Sequence, residues 1–579
     1  MQKGANKATN KVGSKKVVIV GGVAGGMSAA TRLRRLDESA DIVVFERGRH
    51  VSFANCGLPY YVGGVIEDRE SLLLQTPESL AARFRLDVRV LHEVTGIDRD
   101  QKVVVVRNVE TGQESRESYD SLVLAAGASA RDGLPGRSIP VRTLRTIDDV
   151  DDITAILAEV GHTAGGHTAG GQSTGGQPAS AARAVVIGAG FIGLEAVENL
   201  VKRGLEVVLV QRGSQALSPL DPEMAKSVLD LLIAHGVDVR LNSTVTSLDD
   251  GLVHLDDGST FSADLVIEAR GVQPEATLAV QAGLAVGATG GITVDEHQRT
   301  SDPSIYAVGD GVEKVDAVDG AATLVTMAGL ANRHGRTAAD AISGVSEPSL
   351  PALGTAIVGV FDLTVAMIGW SEKRLVAAGR AHRIVHTHPS SHAGYYPGAE
   401  QMALKLLIDA HTDLILGAQI IGGAGVDKRI DVIATAMTAG LSASMLSQLE
   451  LAYAPQYGSA KDAVNLAGYV AQNLATGTVR SLQWHELDAA RDAGAVLVDV
   501  RSVAEFENGG INGSINVPLD ELRERAAELP DAPLIVHCQV GQRGHTAARL
   551  LTQLGYSVTN LDGGYKTWAA GKAALGSEI

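Results

Sequence analysis

Ala184-Val185-Val186-Ile187-Gly188-Ala189-Gly190-Phe191-Ile192-Gly193-Leu194-Glu195 is the stretch whose reading decides the fold. A short run of β-branched and apolar residues reads as a strand buried on both faces of a parallel sheet. It runs into a complete Gly-x-Gly-x-x-Gly turn and then a helical pattern, which together predict a dinucleotide-binding strand–turn–helix. Gly188, Gly190, Phe191, Ile192 and Gly193 are therefore expected around a pyrophosphate, whose charge the helix N-terminus attracts. The next predicted strand, Val207–Val210, ends in Gln211-Arg212, where an acid would select an unphosphorylated ribose. Gln211 cannot repel a 2′-phosphate and Arg212 is able to bind one, so the turn leans towards NADPH or towards both nucleotides. An Arg212 that merely points into solvent is the plain alternative.

The same pattern stands earlier in the chain. Lys16-Val17-Val18-Ile19-Val20 leads into Gly21-Gly22-Val23-Ala24-Gly25-Gly26 and a helical stretch, Met27–Leu36. Val23 replaces the middle glycine, but a second strand, Asp41–Phe45, is followed by Glu46, about 20 residues on, where an acid holds a ribose hydroxyl. Ser121-Leu122-Val123-Leu124-Ala125-Ala126-Gly127-Ala128 resembles the second signature of two-dinucleotide flavoproteins. That makes the first site the FAD site, with Ala126 and Gly127 beside it, and the second the nicotinamide site. Gly271 is also expected at the cofactors.

The chain has 579 residues, more than one core sustains, so several domains are expected. Its net charge of -17 argues against a nucleic-acid surface. Two cysteines cannot build a disulfide framework, which points to a reducing compartment. The first 16 residues are polar and basic without an apolar core, and no run is long enough to span a bilayer. The expectation is a cytoplasmic protein with no membrane or nucleic-acid partner and no metal.

One cysteine lies in Ser52-Phe53-Ala54-Asn55-Cys56-Gly57-Leu58-Pro59-Tyr60-Tyr61, after the second strand. Gly57 and Pro59 suit a turn into a helix, whose dipole stabilises a thiolate, the reactive form of the sulfur. This motif resembles the coenzyme A-disulfide reductase and NAD(P)H persulfide reductase family, whose members carry one redox cysteine in place of a pair. The resemblance implies that Cys56 is that cysteine and that Arg32, Arg35, Ser52, Asn55 and Lys461 grip coenzyme A. Arg32, Arg34 and Arg35 form a charged row on the first helix, ordinarily a solvated face. It also implies that Asp310, after Ala307-Val308-Gly309, binds the flavin chain together with Gly309, and that the helix from Ala328 covers the isoalloxazine. In the resembled family the next domain dimerises, and tyrosines matching Tyr395 and Tyr453 reach the redox cysteine of the partner subunit. A phenol there donates a hydrogen bond to a thiolate or protonates a leaving thiol.

The second cysteine belongs to Leu534-Ile535-Val536-His537-Cys538-Gln539-Val540-Gly541-Gln542-Arg543-Gly544. This strand–loop–helix, with Asp499-Val500-Arg501 before it and Asp562-Gly563-Gly564-Tyr565 after it, resembles a rhodanese domain. Successive backbone N–H groups around such a sulfur form a nest for an anion, and Arg543 is expected to add charge. A C-x4-R loop favours sulfur over phosphate.

The expected architecture is α/β: two Rossmann-like dinucleotide domains, an α+β dimerisation domain and a C-terminal α/β rhodanese domain. Its expected limits are a tail at 1–15, FAD-binding parts at 16–150 and 299–350, and an NAD(P)-binding domain at 181–298. Dimerisation and rhodanese domains follow at 351–470 and 480–579. The glycine-, histidine- and threonine-rich 161–180 reads as a flexible insertion. The implied function is FAD-dependent NAD(P)H reduction of persulfide, polysulfide or coenzyme A disulfide by a homodimer. Electrons reach Cys56, which cycles as a mixed disulfide with coenzyme A, while Cys538 delivers sulfane sulfur. Two alternatives stay open: an NADH oxidase or peroxidase using a Cys56 sulfenic acid, and a sulfur-carrier or redox-sensing protein.

Overall fold

The computed structural model describes residues 14–131, 133–136, 138–163, 182–345 and 347–576. The helix Ile147–Thr163 takes up the first residues of the 161–180 stretch, and the rest of that stretch lies outside the described residues. The chain forms two compact units, the first comprising 1–133, 142–158 and 270–352, the second 134–141, 159–269 and 353–579.

The first unit is built on a parallel sheet. Its strands run in the order Ile305–Ala307, Ser121–Leu124, Lys16–Val20, Asp41–Phe45, Asp87–Arg89. Lys16–Val20 and Asp41–Phe45 pair in register from Lys16 with Asp41 to Val20 with Phe45, and only the first residue of each escapes full burial. Such double-sided burial is what an uninterrupted β-branched run needs. The helices Ala24–Leu36 and Ala328–Ile342 cross where each presents a glycine: a Cβ on Gly335 would stand 2.2 Å from the Gly25 carbonyl oxygen.

The second unit repeats the theme. Its nucleotide sheet runs Asp238–Leu241, Glu206–Gln211, Arg183–Ile187, Leu265–Glu268, Val141–Arg142. An antiparallel sheet follows, ordered Ala356–Val360, Leu363–Gly369, Ile415–Gly422, Ala403–Asp409, His382–Thr387. The helices Val426–Thr438 and Ala463–Ala475 close its core with Val426, Ile430, Ile433, Val464 and Ala467. The last sheet is parallel, ordered Ser481–Leu482, Val558–Leu561, Leu534–His537, Val496–Asp499, Ile515–Asn516. The mixed α/β architecture expected from the sequence is therefore observed.

Candidate active site

In the first unit the glycine turn is shaped by close approach. Gly21 has φ +105°, and a Cβ on it would lie 2.3 Å from the Ala125 carbonyl oxygen. A Cβ on Gly26 would lie 1.9 Å from the Gly21 carbonyl oxygen, so only glycine lets the helix start this near the strand. Val23, the N-cap of the helix Ala24–Leu36, supplies no side-chain cap, which leaves the first N–H groups of a 13-residue helix for an anion. Glu46 accepts the Gly22 N–H at Oε2 and the Gly48 N–H at Oε1, both at 2.8 Å. Each oxygen keeps a lone pair for a ribose hydroxyl. These features fit the pyrophosphate and ribose of FAD.

The cysteine segment is hooked onto that same turn. Ser52 adopts φ +50°; its N–H donates to the Gly22 carbonyl at 2.8 Å and its carbonyl accepts from Leu74 N–H at 3.1 Å. The Ala54 N–H donates to Leu72 O at 2.9 Å, and the Asn55 side-chain amide donates to Arg145 O at 3.4 Å. Cys56 stands exposed in a single 3-10 turn, Asn55–Gly57, ahead of Leu58–Val62. A Cβ on Gly57 would lie 2.6 Å from Leu72 Cδ2, so the turn packs down on Leu72 and lifts the thiol outward. The expected helix is only one short turn, too short for a large macrodipole, and access is the property this thiol has in hand.

Around the FAD fold, Gly127, Gly271 and Gly309 have φ +74°, +91° and +84°. Burial pushes the Asp310 carboxyl up, against the opposing charges of Lys314 and Arg145. Lys314 is buried, donates to the Gly309 and Val312 carbonyls at 2.7 and 2.8 Å, and is pushed down to about 8 by burial. Ala328 opens the helix Ala328–Ile342, whose N-cap, Met327, also leaves it uncapped by a side chain.

The three helix arginines have different fates. Arg34 is no solvated residue: it is buried and donates to the carbonyls of Phe84, Arg85, Asp37 and Glu38, pinning the end of a neighbouring helix. Arg32 pairs with Asp340 at 2.7 Å. Arg35 is exposed and lies over the Phe84 ring, held lightly by Thr31 Oγ1.

In the second unit Gly188 has φ +104°, and a Cβ on Gly193 would lie 1.8 Å from the Gly188 carbonyl oxygen. A Cβ on Gly190 would meet nothing within 4 Å, so space is open above the turn, ahead of the helix Phe191–Lys202. Gln211 Oε1 accepts the Ala189 N–H at 3.1 Å, the place Glu46 takes in the first turn but without its charge. Arg212 beside it is exposed.

Tyr395 and Tyr453 are brought together, their hydroxyl oxygens 2.8 Å apart on an exposed face. That hydrogen bond holds the Tyr395 hydroxyl above the usual 10. Arg429, buried behind them, donates to Ser391 O at 2.8 Å and pairs with Asp462 at 2.8 Å, tying together the segments that bear the two tyrosines. Lys461, next to Asp462, is exposed.

Cys538 directly follows the strand Leu534–His537 and is fully buried. Gly541, at φ +90°, turns the chain into the 12-residue helix Gln542–Gln553. The Cys538 carbonyl accepts the Tyr565 N–H at 2.8 Å, and the Gln539 carbonyl accepts the Lys566 N–H at 3.0 Å. Arg501 holds the loop from the other side: it pairs with Asp499 at 2.7 Å, donates to Gln539 Oε1 at 3.2 Å and stacks over Tyr565. Arg543 does not give its charge to the sulfur alone, because Glu505 takes both ends of the guanidinium at 2.7 and 2.6 Å. Glu505 is the main reason the guanidinium is held above its ordinary value, with Cys538 adding to it. Arg501 and Glu505 were not picked out from the sequence as site residues, although Asp499-Val500-Arg501 was legible as a motif.

Two nucleotide turns, an exposed thiol hooked to one of them and a buried thiol in a strand–loop–helix turn match the pattern of a nucleotide-dependent thiol oxidoreductase carrying a sulfur-handling module. The chain belongs to the pyridine nucleotide-disulphide oxidoreductase family, matched over residues 15–328. The dimerisation domain of the same family matches 355–464, and a rhodanese-like domain matches 483–571. It is thus an enzyme of the FAD- and NAD(P)H-using oxidoreductases. A coenzyme A disulfide reductase of Staphylococcus haemolyticus is 35% identical over 462 residues, which are 79% of this chain and 100% of that one. The crystal structure of reduced Bacillus anthracis CoADR-RHD is 45% identical with a TM-score of 0.91, covering 97% of this chain and 99% of that one. An NAD-dependent persulfide reductase from A. fulgidus is 35% identical with a TM-score of 0.86, covering 96% and 100%. No helix among the described residues is long and apolar enough to cross a membrane.

Proposed function

We propose that the protein uses NAD(P)H to reduce small sulfur compounds, namely coenzyme A disulfide, coenzyme A persulfide and polysulfide. Cys56 would be its redox sulfur and Cys538 its sulfane-sulfur acceptor. One observation carries the reading: the first unit contains a single cysteine, and it is exposed. A lone thiol cannot close a disulfide within its own unit, which supports a mixed disulfide with a small thiol as its oxidised form. The relatives' names point to coenzyme A as that thiol. FAD, when bound, supplies the two-electron relay between nicotinamide and sulfur.

The residues then divide the work. Ser52 and the Gly57–Leu72 packing fix the height of Cys56 above the nucleotide turn. Arg32, Arg35, Ser52 and Asn55 of the first unit are offered as a coenzyme A grip, with Arg35 exposed, and Lys461 of the second unit, also exposed, as a further coenzyme A contact. In a homodimer the Tyr395–Tyr453 pair would face Cys56 of the partner subunit, and a phenol kept protonated is suited to protonate the departing thiolate. For a persulfide the overall change is NAD(P)H + H⁺ + R–S–SH giving NAD(P)⁺ + R–SH + H₂S. Arg212, exposed beside a Gln211 that carries no charge, supports acceptance of NADPH as well as NADH.

The test is an intact-mass measurement of the holoprotein after exposure to coenzyme A disulfide or to polysulfide. Coenzyme A on Cys56 and added sulfur on Cys538 are expected. Peroxide-driven oxidation of Cys56 without any coenzyme A adduct would sink the proposal.

A further inference from the structure

In the second unit a buried ionic cluster joins three stretches of chain far apart in sequence. Lys405 Nζ lies 3.0 Å from Asp221, 2.5 Å from Glu223 and 2.5 Å from Glu372, with none of its side chain exposed. The three carboxylates have a spacing that suits a metal ion, but the Lys405 ammonium stands among them. Glu223 continues the cluster by accepting from His386 Nε2 at 3.1 Å.

His386 lies on His382–Thr387, the edge strand of the antiparallel sheet, where outward backbone groups need partners. The sulfur-handling module provides them. The His386 N–H donates to Asp562 Oδ2 at 2.8 Å, the His386 ring meets the same oxygen through Nδ1 at 2.9 Å, and Gln483 donates to the Ile384 carbonyl at 3.4 Å. Nearby, His388 Nε2 and Thr567 Oγ1 share a hydrogen bond at 2.8 Å and Lys566 donates to Gln401 at 2.6 Å.

Asp562 opens a turn that is thin on both sides. Gly563 and Gly564 have φ +66° and +65°. A Cβ on Gly563 would lie 2.9 Å from His386 Cβ, and a Cβ on Gly564 would lie 2.4 Å from the Cys538 carbonyl oxygen. The same point is 2.8 and 2.9 Å from the amide nitrogens of Gly541 and Val540, the loop that frames the sulfur. Two glycines without side chains are all that separates His386 from the Cys538 loop.

We propose that His386 is a positioning residue for Cys538: through Asp562 and the Gly563–Gly564 turn it sets the loop amides that hold charge on the sulfur. Burial alone would lower the His386 imidazole, but the hydrogen bonds to Asp562 and Glu223 outweigh it and hold the ring charged, at about 9. The inference rests on the reading of Cys538 as a sulfane-sulfur carrier. In that reaction the Cys538 thiolate attacks the outer sulfur of thiosulfate, forming Cys538–S–S⁻ and releasing sulfite. Cyanide then takes the outer sulfur as thiocyanate and restores the thiolate. A displaced amide frame weakens the thiolate and the persulfide alike, and misplacement of a reacting group by about 1 Å costs up to about a hundredfold.

The test uses full-length holoprotein and three substitutions. His386→Leu removes both ring contacts, His386→Asn keeps a donor where Nδ1 meets Asp562, and His386→Gln keeps one towards Glu223. Two rates are read: sulfur transfer from thiosulfate or polysulfide to cyanide, and alkylation of Cys538 by iodoacetamide in a Cys56→Ser background. Both should fall about tenfold or more in His386→Leu, recover in His386→Asn, and stay low in His386→Gln, while NAD(P)H reduction of coenzyme A disulfide is retained. Parent-like rates in His386→Leu overturn the proposal, as does a His386→Asn no faster than the Leu variant. If His386→Leu fails to fold, His386→Gln against His386→Asn makes the same comparison. Should the parent transfer no sulfur to cyanide, the reading of Cys538 fails instead, and the alkylation rates still decide whether His386 positions it.

Discussion

Cys56 and Cys538 are the two cysteines of the chain, and their surroundings are opposites. Cys56 sits exposed on one short turn, tied to the nucleotide fold through Ser52 and the Gly22 carbonyl. Cys538 is fully buried just after a strand, in a loop held by two arginines that each already pair with a carboxylate. The first arrangement gives access to a small soluble partner. The second suits the proposed role of Cys538 as a carrier whose sulfur holds charge away from solvent. The difference teaches that the fold gives its two thiols opposite exposures, which is what the proposed division between electron and sulfur chemistry requires.

The sharpest way to break the comparison is Cys56→Ser. It should lower NAD(P)H-dependent reduction of every sulfur substrate on the order of a thousandfold or more, with FAD retained and sulfur transfer to cyanide intact. Residual turnover near the parent's rate would remove Cys56 from the electron path. Lys405→Met comes next. It leaves Asp221, Glu223 and Glu372 buried against one another, and breaking such a cluster costs about 3–5 kcal/mol. Denaturant unfolding should lose about that much from the transition that reports the Cys538 module; an unchanged midpoint would mean the cluster relaxes around the loss.

Smaller effects test finer points. Gln211→Glu places a charge against a 2′-phosphate and should shift the NADH-to-NADPH ratio of kcat/KM by about tenfold towards NADH; no shift would show that this strand end does not read the ribose. The charge on His386 faces Glu223 from one helix, Lys405 from the neighbouring strand, Asp562 from the module, and His388 two residues on in its own segment, itself beside Lys566 of the module. Because its folded value is raised from 6.5 to about 9, its stabilising contribution is complete below pH 6.5 and is lost as pH rises through 9. Thermal unfolding followed from pH 6 to pH 10 should show that loss in the parent and not in His386→Asn.

Much of this was legible in the sequence, for physical reasons. Lys16–Val20 and Asp41–Phe45 were readable to the residue because parallel strands buried on both faces must be continuous apolar runs. The glycine turns were readable because no other residue tolerates approaches such as Gly26 on Gly21. The ionic cluster was not. Lys405 and Glu223 are 182 residues apart, and His386 and Asp562 are 176 apart. Each looks like an ordinary surface charge until the topology buries it. Glu505, 38 residues before Arg543, was hidden for the same reason, and its carboxylate changes what the arginine offers the sulfur. Arg34 misled in the other direction, as a helix arginine whose carbonyl partners lie on another element.

The division of labour is tested most directly by the steady-state rate of NAD(P)H oxidation in Cys538→Ser, measured in parallel with coenzyme A disulfide and with inorganic polysulfide. Retention of the parent's rate with the disulfide and collapse with polysulfide is the predicted result. Polysulfide reduced at the parent's rate would contradict it, because sulfur would then be reaching Cys56 without Cys538.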